Sequence, residues 1–221
     1  MLSTKVGRVI LDEIETDVPP DFGEKGGLFE HGNPPNKILH EWTAEATERS
    51  IEGSLKRLGV DRLDIVWVHD IAQDFHGDAW ISKFEEARTG AFRVLSRLRD
   101  EGVIKAWGGL GVNKTEPIEL TLALDEPQPD GFLLAGRYTL LDHAHALQRL
   151  LPMAQEQGVE MVVGGPPYSS GILAGGSHFE YQQAPPPEIV EKVSRLKALT
   201  EKHGISIKAA ALQFSLAHPV T

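Results

Sequence analysis

No cysteine occurs in the 221-residue chain, which rules out disulfides and thiolate-bound metals and fits a reducing, cytoplasmic setting. There is no run of about eighteen apolar residues and no apolar stretch behind a basic N-terminus, so neither a membrane span nor a secretion signal is expected. Basic residues are outnumbered, with 22 Lys and Arg against 32 Asp and Glu and a formal net charge of −10. That balance argues against non-specific binding to nucleic acid or anionic lipid. It leaves room for an anionic cofactor in a locally basic pocket. The phosphate-cradling patterns G-x-G-x-x-G and G-x-x-x-x-G-K-[ST] are also missing, which removes the main signal for Rossmann and P-loop folds.

What is present is a repeated junction: a polar helix end, a glycine, then a short apolar run. It reads RLG-VDRLDIVWV, RDEG-VIKAWGG, AQEQG-VEMVVGG and, more weakly, EKHG-ISI. Gly59, Gly102 and Gly158 therefore mark helix ends, because a left-handed glycine satisfies the last helical carbonyls. Stripes at helical spacing precede them: Phe84, Ala91, Leu95 and Leu98, and then Leu147, Leu150, Leu151 and Ala154. Ile189, Val193 and Leu196 make a third, after a stiff Pro185-Pro186-Pro187 lead-in. At the Gly204 junction Ser206 reads as an N-cap with a helix behind it.

The apolar runs do not alternate with polar residues, as expected of parallel strands covered on both faces. They number about five, near residues 2–5, 63–68, 103–107, 131–135 and 159–163. A closed (β/α)8 TIM barrel needs eight strands and about 250 residues. The expectation is a single partial barrel domain over residues 1–221, lacking two strands at its start and one at its end. The stretch from Asp12 to Lys37, rich in Gly, Pro and charge, reads either as a long loop on the face where chemistry gathers or as a disordered insertion.

Candidate functional residues fall at the carboxyl ends of these strands. Lys5 closes the first and His69 the second. A lysine there can depress the pKa of a neighbouring acid or act as a Schiff-base nucleophile; otherwise it begins a solvated loop. His69 can hydrogen-bond a substrate oxygen or shuttle protons, or it is a satisfied core histidine. Asn113 closes GGLGVN after a strand and can grip a carboxamide, or it is a turn asparagine. Small residues follow the fifth strand in GGPPYSSG, where free amides and hydroxyls suit a pyrophosphate or an ordinary turn. His69, Asp70, Asp74, His76 and Asp78 crowd one segment, yet their spacing matches no metal signature. His143 and His145, at i and i+2, would not share an ion.

Taken together, STKVGR, RSIEGSLKRLGVDRLDIVWVHD, GVIKAWGGLGVN, GFLLAGRYTLLD and PYSSGILAGG resemble the aldo-keto reductase superfamily. The similarity is greatest to its aldose, fucose (galactose) and pyridoxal dehydrogenase branch. The resemblance implies an NAD(P)-dependent oxidoreductase acting on a small carbonyl compound or sugar. It matches the catalytic lysine to Lys5 and the histidine to His69. It places Asn113 at the nicotinamide amide and Ser169, Ser170 and Gly171 at the pyrophosphate. The usual cofactor-amide glutamine falls at Ala135 and the usual stacking aromatic near Gly165. The family's Asp and Tyr belong before Lys5 and its last phosphate segment beyond Thr221, so a truncated chain and a poor dehydrogenase are expected. Two alternatives are a non-catalytic barrel remnant and a metal-dependent barrel hydrolase. No bound transition metal is expected, and unpaired sheet edges would invite self-association.

Overall fold

Glycine ends the helices and apolar runs build the sheet. In the computed structural model, which describes residues 1–14, 36–111, 114–163, 167–180 and 184–221, Gly59, Gly102, Gly158 and Gly204 have φ of 65°, 74°, 67° and 67°. The first helix, α1 (Ala44–Leu58), starts at Thr43, whose side chain accepts from the Ala46 amide, and stops at Gly59. Its buried face is small, with Ala46, Thr47, Ser50 and Ser54. It can therefore lie close on β1 (Ser3–Val6), where the Thr4 and Ser54 hydroxyls meet at 3.2 Å.

Five strands form one parallel sheet. Besides β1 they are β4 (Ile65–Val68), β5 (Ala106–Gly111), β6 (Gly131–Leu134) and β7 (Glu160–Val163), in the order β1-β4-β5-β6-β7. All five expected strands are present, and they add in chain order, as barrel strands do. Right-handed connections made in one direction put the helices on one face. Val6, Val66, Val68 and Trp107 point there, into a core with Trp42, Phe84, Phe92 and Leu95. A second core joins Phe132 and Leu134 to α5 (Glu116–Leu122) and α6 (Leu151–Glu156). Among the described residues β1 and β7 pair on one side only, so the sheet is open and no barrel closes.

Four details depart from expectation. The Asp12–Lys37 segment is not all loop: its ends belong to an antiparallel pair, β2 (Arg8–Ile14) and β3 (Asn36–His40). Alternating Val9 and Leu39 register with each other there, a signal hidden by the Gly/Pro-rich centre. Gly108, Gly109 and Gly111 lie inside β5 rather than after it. A Cβ at Gly108 would sit 2.2 Å from the Gly131 carbonyl and 2.6 Å from the Trp67 ring, so the glycine makes room for an indole.

The stripe through Phe84 and Leu95 spans two helices, α3 (Trp80–Thr89) and α4 (Ala91–Asp100), broken at Gly90. The Ala91 amide donates to the Trp42 carbonyl there, and a Cβ on Gly90 would collide with that oxygen at 2.4 Å. In the fourth case, residues Ala146–Leu150 form a π turn, which leaves Leu147 exposed while Leu150, Leu151 and Ala154 are buried. The later helices follow expectation: α7 (Pro187–Lys202) begins on its proline, and Ser206 caps α8 (Ile207–Ser215) by accepting from the Lys208 amide.

Candidate active site

Lys5 and His69 come together because β1 and β4 are neighbours. Lys5 registers with Trp67, and the His69 amide donates to the Val6 carbonyl at 3.0 Å, extending the pairing one residue past β4. Strand alternation sends Lys5, Trp67 and His69 to the face opposite the helices. Lys5 is exposed on that open face, and is followed by one more strand residue, Val6. Gly7, at φ 109°, then turns the chain sharply into β2.

His69 is locked from several sides. Its carbonyl accepts from the buried Trp42 indole at 3.0 Å, and its ring is only 19% exposed. Burial, followed by the positive charges of Arg8, Lys5 and His40, lowers its pKa to about 2, so the imidazole is neutral at ordinary pH. Beside it, Asp70 is 1% exposed and has φ 57°. Its Oδ2 lies 2.5 Å from Arg8 Nη2 and its Oδ1 3.1 Å from His69 Nε2. Neither oxygen has a well-aligned hydrogen bond, so these are close charge contacts in a dry setting. Burial pushes the Asp70 carboxyl up to about 6, against the opposing pull of Arg8.

After Asp70 a short helix, α2 (Gln73–His76), closes over this corner. His76 Nε2 meets the Asp70 carbonyl at 2.8 Å, and the His76 ring stands edge-on to Trp42 and His40. Arg8 lies over the Phe75 ring, and Phe75 packs on Ala135 just past β6.

Ser169, Ser170 and Gly171 form a separate group at the β7 end, with β4, β5 and β6 between them and Lys5 in the sheet order. They open a 3-10 turn (Ser169–Ala174) and have φ of 48°, 62° and 105°. The Ser169 hydroxyl is spent on Thr139 at 3.3 Å. Thr139 also accepts from the Leu141 and Asp142 amides, so it ties the loop after β6 to the turn after β7. Asn113 and Gly165 lie outside the described residues. Tyr138 is buried against Phe214, which raises its phenol pKa and removes it as an open proton donor.

The clustered His and Asp residues do not assemble as metal ligands. Among the described residues no group of three or more His, Asp or Glu side chains could hold an ion. His143 binds the Thr139 carbonyl and His145 binds Glu119, so they go separate ways as expected. What the residue patterns did not single out is the Arg8–Asp70 pair. The signal available was an arginine and an aspartate each close behind a candidate catalytic residue at a strand end.

The Aldo/keto reductase family profile matches residues 1–221. The chain is 36% identical to a pyridoxal 4-dehydrogenase of Microbacterium luteolum, over 99% of this chain and 64% of that protein. It is 31% identical to a D-threo-aldose 1-dehydrogenase of a Pseudomonas species, over 98% of this chain and 62% of that one. Among solved structures, an aldo-keto reductase of Bacillus halodurans superposes with a TM-score of 0.62 at 22% identity, covering all of this chain and 60% of the other. That likeness shows a shared fold. The chain thus spans less than two thirds of the length of these relatives.

Proposed function

This chain belongs to the aldo/keto reductase family, and from that premise we propose that it takes part in NAD- or NADP-dependent oxidoreduction of a small carbonyl or hydroxyl compound. Pyridoxal and aldoses, named for its relatives, are the substrates of choice. The carrying observation is that Lys5 and His69 meet at the same end of adjacent parallel strands with the histidine held neutral. The bound cofactor supplies the hydride chemistry. Lys5 presents a cation to the open face, which favours a negative charge on a reacting oxygen. His69 supplies a neutral hydrogen-bonding ring to the same oxygen.

The turn at Ser169–Gly171 suits a pyrophosphate through its backbone. Three successive positive φ values curve this backbone, the Gly171 amide donates to the Tyr168 carbonyl at 3.0 Å, and a Cβ on Gly171 would meet nothing within 4 Å, so the approach to the Ser169 and Ser170 side of the turn is open. With Ser169 bonded to Thr139, its side chain braces the turn.

The test is steady-state oxidation of pyridoxal and of aldoses with NAD and with NADP, for the wild type, Lys5→Met and His69→Gln. Each substitution is expected to lower kcat by about 10²–10⁴-fold, the usual worth of an acid–base group, with nucleotide affinity by fluorescence titration kept within about threefold. Variants that match the wild type would refute these roles. Absence of any nucleotide binding would refute the oxidoreductase reading.

A further inference from the structure

The β1–β4 ladder ends at His69, and a side chain takes over where the backbone stops. In a parallel ladder the rungs are evenly spaced along the strand, and the His69 amide makes its rung to the Val6 carbonyl. The next rung would run to the His69 carbonyl from residue 8. Gly7, at φ 109°, instead turns the chain into β2, where Arg8 registers with His40. Trp42 fills the gap. Its indole Nε1–H donates to the His69 carbonyl at 3.0 Å. A Cβ on Gly7 would lie 2.2 Å from that nitrogen, so the missing side chain is what lets the indole through. Trp42 is itself fully buried and fixed from the helix side. Its amide donates to the Glu86 carboxylate of α3 at 2.8 Å, and its carbonyl accepts from the Ala91 amide of α4 at 2.9 Å.

We propose that Trp42 is a positioning residue for His69: its indole N–H replaces the rung that the Gly7 turn removes, and so holds His69 at the end of β4, shielded from water. A strand end with an unpaired carbonyl opens readily, and an indole has one N–H to give. Because the bond is to the backbone, it fixes the Cα from which the ring projects and uses neither ring nitrogen. The charged and titratable groups facing His69 are Lys5 on β1, Arg8 on β2, His40 on β3 and the neighbouring Asp70. His76 of α2 stands edge-on to the Trp42 ring on the same side. Buried where Lys5 and Arg8 outnumber Asp70, the imidazole stays uncharged; opened to water, it regains an ordinary histidine's affinity for a proton. The positioning stands on this geometry, and its use in catalysis rests on the oxidoreductase reading above.

Replacing Trp42 with 3-benzothienylalanine makes the sharpest test, because sulfur takes the place of N–H in a ring of nearly the same shape. Trp42→Phe is the encoded counterpart. Histidine-labelled 15N NMR reads the charge of the His69 ring, assigned by loss of its signals in His69→Gln. The wild-type ring is expected to stay uncharged down to pH 5, and the variant ring to take up its proton around the ordinary 6.5. In the activity assay kcat is expected to fall at least about tenfold, as it does when a reacting group is slightly misplaced, with nucleotide affinity within about threefold of the wild type. A merely structural Trp42 would lower the melting temperature and leave the His69 ring uncharged over that range, which would overturn the proposal. Two wild-type measurements decide if neither variant folds. A scalar coupling across the hydrogen bond, from Trp42 15Nε1 to the His69 carbonyl 13C, is expected, and the His69 amide should exchange with deuterium as slowly as those inside β4. A missing coupling or a fast-exchanging His69 amide would overturn the proposal as well. If no turnover is found with either nucleotide, the oxidoreductase reading fails while the ring titration and the exchange still judge Trp42.

Discussion

Gly7→Ala should be among the most damaging single-methyl changes in this chain, and the cost can be built from its parts. Gly7 turns β1 into β2 at φ 109°, and a Cβ there would lie 2.2 Å from the Trp42 indole nitrogen and 3.0 Å from the His69 carbonyl. Alanine in this backbone region costs about 1–2 kcal/mol. The indole must also move, which breaks its 3.0 Å bond to the His69 carbonyl. A buried polar pair left unmade costs about 1–3 kcal/mol. Displacing a fully buried tryptophan adds about 1–3 kcal/mol of packing strain. The sum is about 3–8 kcal/mol, a large part of the roughly 5–15 kcal/mol of a typical domain. Gly59→Ala is the control. Its φ of 65° is also left-handed, but nothing lies within 4 Å of the added carbon. It should cost only about 1–2 kcal/mol. Urea unfolding followed by tryptophan fluorescence, with linear extrapolation, gives both values. A gap of at least about 2 kcal/mol is expected. In a Trp42→Ala background the Gly7→Ala penalty should fall toward that of Gly59→Ala, since the collision is gone. Equal penalties for the two glycines in the wild-type background would refute the reasoning.

Two further outcomes are expected. Folded Asp70 takes up its proton near pH 6 rather than 3.8, so acidification between those values stabilises the fold, while His69, neutral down to about 2 instead of 6.5, makes acidification destabilising. Each slope is about 1.4 kcal/mol per pH unit, so the two oppose each other between about pH 6 and 4, and only the His69 loss remains below. Asp70→Asn removes the compensation, and its stability should fall more steeply than the wild type's from pH 6 to 4; parallel curves would count against the shifted pair. Thr139→Val leaves the Leu141 and Asp142 amides and the Ser169 hydroxyl without their acceptor. It should cost about 1–3 kcal/mol and weaken nucleotide binding severalfold, read by melting and fluorescence titration, and a fully stable variant with unchanged affinity would show that the brace is idle.

Much of the scaffold was legible because it depends on local chemistry. A glycine after a polar helix end can take the left-handed conformation that few other residues tolerate, so Gly59, Gly102 and Gly158 mark their helix ends wherever they sit. The apolar runs behind them have little choice but to form parallel strands, one face of which packs under the helices while the other stays open at Lys5. Lys5 and His69 could be paired in advance, since both belong to strand ends joined by one crossover. The β2–β3 pair was hidden, because an antiparallel partner more than twenty residues away leaves no local periodicity across a Gly/Pro-rich interior. Gly90 reads as an ordinary weak point in a helix until the Trp42 carbonyl is placed against it. Gly108 looks like a turn residue until the Trp67 ring lies across it.

The sequence by itself determined the helix stops, the five parallel strands, the Lys5 and His69 candidates and the family to which their motifs point, because each rests on residue type and near-neighbour spacing. Only the tertiary structure decided the state of those candidates. Whether His69 is charged and how far Asp70 is shifted depend on desolvation and on Arg8, which is 62 positions from Asp70 in the sequence yet within 2.5 Å of it in space. Burial and Coulomb energy are set by distance in space, and no spacing along the chain encodes them.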